Sequence, residues 1–313
     1  MRRLEEFGLT GCSRYALIAG ETPAVPVRAR MLIRNISDTA LLAAVYRARE
    51  TERVDALFRD PLAHRLAGER GEQMAKSLAF SEKHSWSWFT RTYIFDQFIA
   101  RCLEEGCDLV VNLAAGLDTR PYRLNLPANL KWIEVDLPDI TDYKEEILRD
   151  EKPVCALERI RLDLSDVARR RELFQRLSAE ARKALIVSEG LILYLTSEQV
   201  GTLASDLAAH ETFHYWLLDL VNPALMQLMQ KKMGKPLEEA AAPFKFAPAE
   251  GPEFFRKFGW KPVGVRSLFH VAGQLKRLPL IMSFFYHLQK SEDFQRKRPW
   301  GGACLFERQP ADS

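Results

Sequence analysis

VVNLAAGLDTRPYRL, residues 110–124, is the stretch on which the reading of this chain turns. A short apolar run of strand length passes into a tight turn at Ala114-Ala115-Gly116, the kind of turn that brings backbone close to a ligand. Glycine is the expected residue at such an approach because it has no Cβ to collide and tolerates positive φ. Here only Gly116 supplies that freedom. Ala114 is read as a silent replacement, tolerated with a negative φ and a Cβ that points away from the ligand; a weakened site, or one no longer in use, is the alternative.

Working outward, DLVVNLA is followed by LKWIEVD, ALERIRLD, KALIVSEG and FHYWLLDLV, all short apolar runs, with helix-like stretches such as DITDYKEEILRD and SEQVGTLASDLAAH between them. Alternating strands and helices predict a parallel sheet covered by helices on both faces. WKPVGV and GGACLFER add two late strands. Upstream, DTALLAAVYRARETERVDALFRDPLAHRLAG is helical, with Asp38 and Thr39 as caps and a restart at Asp60-Pro61. Residues 81–106 set Trp88, Phe89, Ile94, Phe95, Phe98, Ile99 and Leu103 at helical spacing before Gly106. Residues 223–258, rich in Met, Ala and Pro, are the expected substrate-covering lid. RLPLIMSFFYHL, 277–288, falls short of the roughly 20 residues a membrane-spanning helix needs and predicts a buried or lid helix.

In open parallel sheets, ligands lie beyond the carboxyl ends of the strands. Those ends carry the AAG turn, Asp136 twenty positions beyond Gly116, Asp163-Leu164, and Glu189-Gly190. A carboxylate at Asp136 suits the two hydroxyls of a ribose. A dinucleotide would want more glycines and helix-terminus amides on a pyrophosphate. Several acids on one rim repel phosphate but suit hydroxyls, an exocyclic amine and an ammonium group. S-adenosylmethionine offers these and no phosphate.

VVNLAAGLDTRPYRL, WIEVDLPDITDYKEEIL, RLDLSD and SEGLILYLTSEQV, in this order, resemble the leucine carboxyl methyltransferase family, most closely its bacterial branch of polyketide-type O-methyltransferases. The likeness runs from about Thr39 through Phe258-Gly259-Trp260 to the last strand. It implies a class I methyltransferase fold: α/β, Rossmann-like, seven strands with the last antiparallel, plus an N-terminal helical extension and a helical lid. It divides the chain into an arm at 1–37, poorly ordered or a lid, and one methyltransferase domain at 38–313. Within that domain lie a helical preface to 106, a cofactor-binding core at 107–222, the lid at 223–258, and C-terminal strands and helix from 259.

Carried over by position, the family pattern implies that Arg91 pairs with the carboxylate of the methionine moiety of S-adenosyl-L-methionine, against which Ala114 and Gly116 lie. Asp136 and Leu137 would serve the ribose, Asp163 and Leu164 the adenine, and Glu189 the ammonium end. The basic residue that some relatives carry early in the first helix has no counterpart in TALLAAVYRAR. Tyr194 is the polar group expected nearest the transferred methyl. The expected reaction is O-methylation of a carboxylate or acidic hydroxyl on a small metabolite. Methylation of a protein carboxyl terminus, and a catalytically silent S-adenosylmethionine-binding protein, remain open.

Each residue also has a plainer reading. Arg91 could pair with Glu82 or Glu104, Asp136 and Glu189 could be solvated strand ends, and Asp118 is read as a turn cap. Trp86, Trp88, Phe89 and Tyr93 read first as core. The six histidines have no metal spacing. Across 313 residues, 45 basic and 42 acidic side chains leave a formal charge of +3, too balanced for a nucleic-acid partner. Five scattered cysteines without a CxxC pair suit a reducing cytoplasm. Neither a membrane partner nor a metal is expected, and the oligomeric state, monomer or homodimer, is left open.

Overall fold

The strand LVVNL, β1 (Leu109–Leu113), is buried along its whole length, and so is ALIVS, β4 (Ala184–Ser188). Continuous apolar runs of this kind belong to the centre of a sheet covered on both faces. The computed structural model describes residues 38–77, 84–239, 243–288 and 299–310. The arm at 1–37 lies outside them.

Among the described residues, three helices precede β1: α1 (Asp38–Thr51), α2 (Ala63–Ser77) and α3 (Ser85–Glu104). A one-turn α4 (Arg120–Arg123) follows β1, and then come β2 (Lys131–Asp136), α5 (Pro138–Leu148), β3 (Ala156–Arg161) and α6 (Val167–Glu180). After β4 lie α7 (Ser197–Ala208), β5 (Phe213–Val221) and α8 (Pro223–Glu239). The chain closes with β6 (Trp260–Ser267), α9 (Leu268–Gln274), α10 (Leu280–Leu288) and β7 (Gly301–Arg308).

The strands form one sheet in the order β3-β2-β1-β4-β5-β7-β6. β1 to β5 pair in parallel, and β7 is antiparallel to both β5 and β6. This is the sheet the alternating runs predict. The order reverses between β1 and β4, so the loops leaving these neighbouring strands turn to opposite sides and open a crevice at their carboxyl ends.

Alternate residues face opposite ways along a strand. Val111, Ile133, Ile186 and Trp216 pack against Leu173 and Phe174 of α6 and Leu203 of α7. Val110, Trp132, Leu185 and Leu217 meet Ile94, Phe95, Phe98 and Ile99 of α3. A third cluster joins α1 and α2, through Leu42, Val45, Tyr46 and Leu66, to Leu117, Ile140 of α5 and Phe244. It lies at the end of the sheet where the crevice opens, so the helical preface becomes a wall of the site.

The expected lid at 223–258 divides. Leu225, Leu228 and Met229 of α8, with Phe244, face the crevice. Phe246, Phe254 and Phe255 belong to the main core, held by the backbone N–H groups of Lys245 and Phe246 donating to the Leu193 carbonyl at 2.8 and 3.2 Å. The second half of this insertion is too aromatic to stay out of the core. α10 differs in the other direction: Met282 and Phe285 face the crevice, but Leu280 is 92% and Ile281 75% exposed, so it is not a buried helix.

Candidate functional site

Strand register lines up the residues of the rim. Leu113 pairs with Val135, Asn112 with Val187, and Ser188 with Leu218. Extending these pairings in step sets Ala114, Asp136, Glu189 and Asp219 in one row across four strands. A cavity of about 930 Å³ opens over the row. Arg91, Ala114, Gly116, Asp136, Leu137, Asp163, Leu164, Glu189 and Tyr194 all line it.

The turn after β1 corrects one expectation. Ala114 has φ 55°, and Gly116 has φ 49°. Two left-handed residues bracket Ala115, whose carbonyl accepts from Asp118 N at 3.0 Å. This reversal turns Gly116 N toward the end of β2, where it donates to Asp136 Oδ2 at 2.6 Å. A negative φ at Ala114 would lose that reversal, so the alanine is held where a Cβ costs about 1 kcal/mol relative to glycine.

The second oxygen of Asp136 accepts from Leu137 N at 2.7 Å. Burial raises the Asp136 carboxyl above the ordinary aspartate value, and these two N–H groups only partly counter it. Asp163 binds Ser165 N at 2.8 Å and is exposed. Its loop is fixed by Arg170, which donates to the Leu164 carbonyl at 2.8 Å and pairs with Asp206.

Arg91 donates through Nε to Glu189 Oε1 at 2.9 Å and through Nη1 to Asp219 Oδ2 at 3.1 Å. Its guanidinium also lies 5.2 Å from the Trp88 ring centroid. Glu104 is not its partner, and Glu82 lies outside the described residues. The other oxygen of Glu189 meets Arg120 Nη2 at 2.9 Å. Burial opposes ionisation of Glu189, but Arg120 and Arg91 outweigh it and hold the carboxyl below the ordinary glutamate range.

Asp118 accepts from Asn112 Nδ2 at 2.8 Å, Arg120 N at 2.9 Å and Arg120 Nη1 at 2.7 Å. It caps and orients the turn, as the sequence reading has it. Tyr194 packs on Phe244, with ring centroids 5.6 Å apart. Burial raises its phenol, against a hydrogen bond with Thr39 and the nearby Arg91, so at neutral pH it is an O–H and not a phenolate.

Sequence reasoning missed Asp219, Arg120 and Arg47. Asp219 lies inside FHYWLLDLV, two residues before the end of β5, so the strand-end rule does not single it out. Arg120 stands inside the opening stretch. Arg47 bonds Asp60 at 2.8 Å and the Leu117 carbonyl at 2.6 Å, tying the one basic residue that α1 brings to the cavity into its wall. No signal in the sequence pairs Arg47 with a loop 70 residues away.

Much of the remaining lining is apolar. Trp86 and Trp88 of α3, Leu228 and Met229 of α8, Phe269 of α9, Phe285 of α10 and Trp300 form an aromatic and aliphatic chamber. Both tryptophans of α3 therefore face the cavity as well as the core. α8, α9, α10 and Trp300 contribute no lysine or arginine to the lining among the described residues, and no described helix is long and apolar enough to cross a membrane.

Residues 40–208 match the family model described as leucine carboxyl methyltransferase. A protein of Mycobacteroides abscessus, provisionally named an S-adenosyl-L-methionine-dependent methyltransferase, is 33% identical over 195 residues. That match covers 57% of this chain and 64% of the relative, under two thirds of the relative's length. One of Frankia alni with the same provisional name is 28% identical over 256 residues, 76% of this chain and 88% of its own. Among solved structures, one from Thermobifida fusca, provisionally named a methyltransferase, superposes with a TM-score of 0.53 at 15% identity, covering 92% of this chain and all of its own. A DUF574 family protein of Streptomyces avermitilis gives 0.52 at 12%, covering 86% and 97%. At such identities these two speak for the fold, which is that of a class I methyltransferase.

Proposed function

The chain belongs to the leucine carboxyl methyltransferase family, and from that premise we propose that it moves a methyl group from S-adenosylmethionine to a carboxylate or acidic hydroxyl of a small, largely apolar molecule. One observation carries this reading. Asp136, Glu189 and Asp219, with Arg91 bonded to the last two, gather at the strand ends of the cavity, while Trp86, Trp88, Leu228, Met229, Phe269, Phe285 and Trp300 give it an aromatic and aliphatic lining.

The residues of the row fit the donor. Nη2 of Arg91 makes no hydrogen bond among the described residues, and a forked guanidinium with a free edge suits a carboxylate. Each oxygen of Asp136 takes one backbone N–H, leaving lone pairs for ribose hydroxyls. Glu189, ionised between two arginines, suits an ammonium group. Leu137, Asp163 and Leu164 would frame the adenine, and the Ala114 to Gly116 turn would lie against the methionine moiety.

The bound donor supplies a methyl group already activated by its positive sulfur. What remains for the protein is alignment and exclusion of water. The chamber desolvates the acceptor oxygen and holds it in line. An acceptor that ionises by its own acidity needs no general base, and Tyr194, kept protonated by burial, orients that oxygen as a hydrogen-bond donor.

Incubation with labelled S-adenosylmethionine and a panel of apolar carboxylic acids, phenols, and peptides with free carboxyl termini tests the reading. The expected outcome is label on apolar small molecules and none on peptides. Label on peptides alone would move the acceptor class to proteins. Absence of calorimetric heat with S-adenosylhomocysteine would remove the reading altogether.

A further inference from the structure

Arg120 is 3% exposed at its side chain and binds three acids with three different nitrogens. Nε meets Asp96 at 2.7 Å, Nη1 meets Asp118 at 2.7 Å, and Nη2 meets Glu189 at 2.9 Å. Two of these anchors are themselves fixed. Asp96 is gripped by both terminal nitrogens of Arg123, at 2.7 and 2.8 Å. Asp118 is held by the Asn112 amide and by the backbone N–H of Arg120.

A guanidinium is planar and its N–H directions are rigidly related. Once Asp96 and Asp118 set the plane, the direction of the third N–H is decided, and Glu189 Oε2 must come to it. Without Arg120, Glu189 would stand near Asp118 with only Arg91 to hold it, and Arg91 also serves Asp219. The carboxylates of Glu189 and Asp118 would then repel each other at the cavity wall.

We propose that Arg120 is a positioning residue: through Glu189 it sets the orientation of the charge that receives the ammonium group of the methyl donor, with Asp96, Arg123 and Asp118 as its scaffold. The inference rests on the functional reading above. It assigns to the TRPYR segment a role at the amino-acid end of the donor and none at the nucleoside end.

The test compares two ligands in isothermal titration. S-adenosylhomocysteine carries the ammonium group; 5′-methylthioadenosine is the same nucleoside thioether without the amino-acid end. Arg120→Lys keeps one positive charge but cannot reach all three acids. It is expected to weaken S-adenosylhomocysteine tenfold or more, with 5′-methylthioadenosine held within twofold. Parallel weakening of both ligands, or no weakening of either, overturns the proposal. If Arg120→Lys does not fold, Asp96→Asn decides, since it frees one anchor and leaves Arg120 and Glu189 in place. A selective loss of threefold or more supports the proposal, and a parallel or absent loss overturns it. Failure of the wild-type protein to bind either ligand overturns the functional reading and this inference with it, whereas wild-type binding without selectivity in the variant overturns this inference alone.

Discussion

The two halves of the cavity are held by different forces. Along the strand ends, Asp136, Glu189, Asp219, Arg91 and Arg120 are fixed by hydrogen bonds and ion pairs of 2.6 to 3.1 Å. In the chamber, Trp86, Phe269 and Phe285 are held by ring packing, as in the Trp86–Phe269 edge contact at 6.0 Å. Directional bonds fix atoms to tenths of an ångström, so the row suits a ligand that never changes. Dispersion is individually weak and tolerant of shape, so the chamber can be retuned without disturbing the row. A constant donor and a variable acceptor are thus served by separate physical means.

The largest expected effect is on the row. Asp136→Ala removes the carboxylate assigned to the ribose and strands Gly116 N, and should cost on the order of 1 to 3 kcal/mol of S-adenosylhomocysteine affinity by calorimetry. Unchanged affinity would break the comparison, because an acid fixed at both oxygens would then do nothing for the ligand.

Arg91→Lys comes next. Lysine keeps the charge but cannot bridge Glu189 and Asp219 while presenting a forked edge. Affinity should fall about tenfold, about 1.4 kcal/mol. Because Arg91 ties β4 to β5 in the absence of ligand, its thermal midpoint should fall as well. A midpoint that stays put would mean the two ion pairs are worth nothing to the fold.

The pH dependence of Glu189 sharpens the same point. Its folded value lies below its ordinary one of 4.5. The ionised pair therefore stabilises the protein fully above pH 4.5, and the contribution is lost as pH falls below 4.5 through the folded value. Glu189→Gln should lower the thermal midpoint at pH 7, and the gap to wild type should narrow below pH 4.5. A gap that stays constant with pH would locate the defect in packing and not in charge.

Ala114→Gly should act on the fold more than on the ligand. Relief of φ 55° gains about 1 kcal/mol, against a similar entropy cost in the unfolded chain. Stability should therefore change by roughly 1 kcal/mol at most, and affinity should stay within about threefold. A tenfold gain in affinity would mean that the methyl obstructs the donor.

The smallest effect belongs to the chamber: Met229→Ala should leave S-adenosylhomocysteine affinity within about twofold while altering which acceptors are methylated. A large loss of affinity would mean that the apolar lining also holds the donor.

The row was legible because its determinants are local. Strand runs announce themselves by length and apolarity, and a residue one step past such a run must sit at the sheet's carboxyl edge. Ala114, Asp136 and Glu189 follow from that rule alone. Asp219 does not follow from it, because β5 runs on through Leu220 and Val221. From the sequence come the parallel sheet, the turn, the acids of its rim and the class of ligand they suit, since each rests on residues within a few positions of one another. Only the tertiary structure decided the sign of φ at Ala114, the Arg120 hub and the chamber wall. A turn's handedness depends on where its N–H must point. An ion pair such as Arg91–Glu189 joins residues 98 positions apart, and a chamber assembled from α3, α8, α9 and α10 exists only once the sheet has brought those helices together.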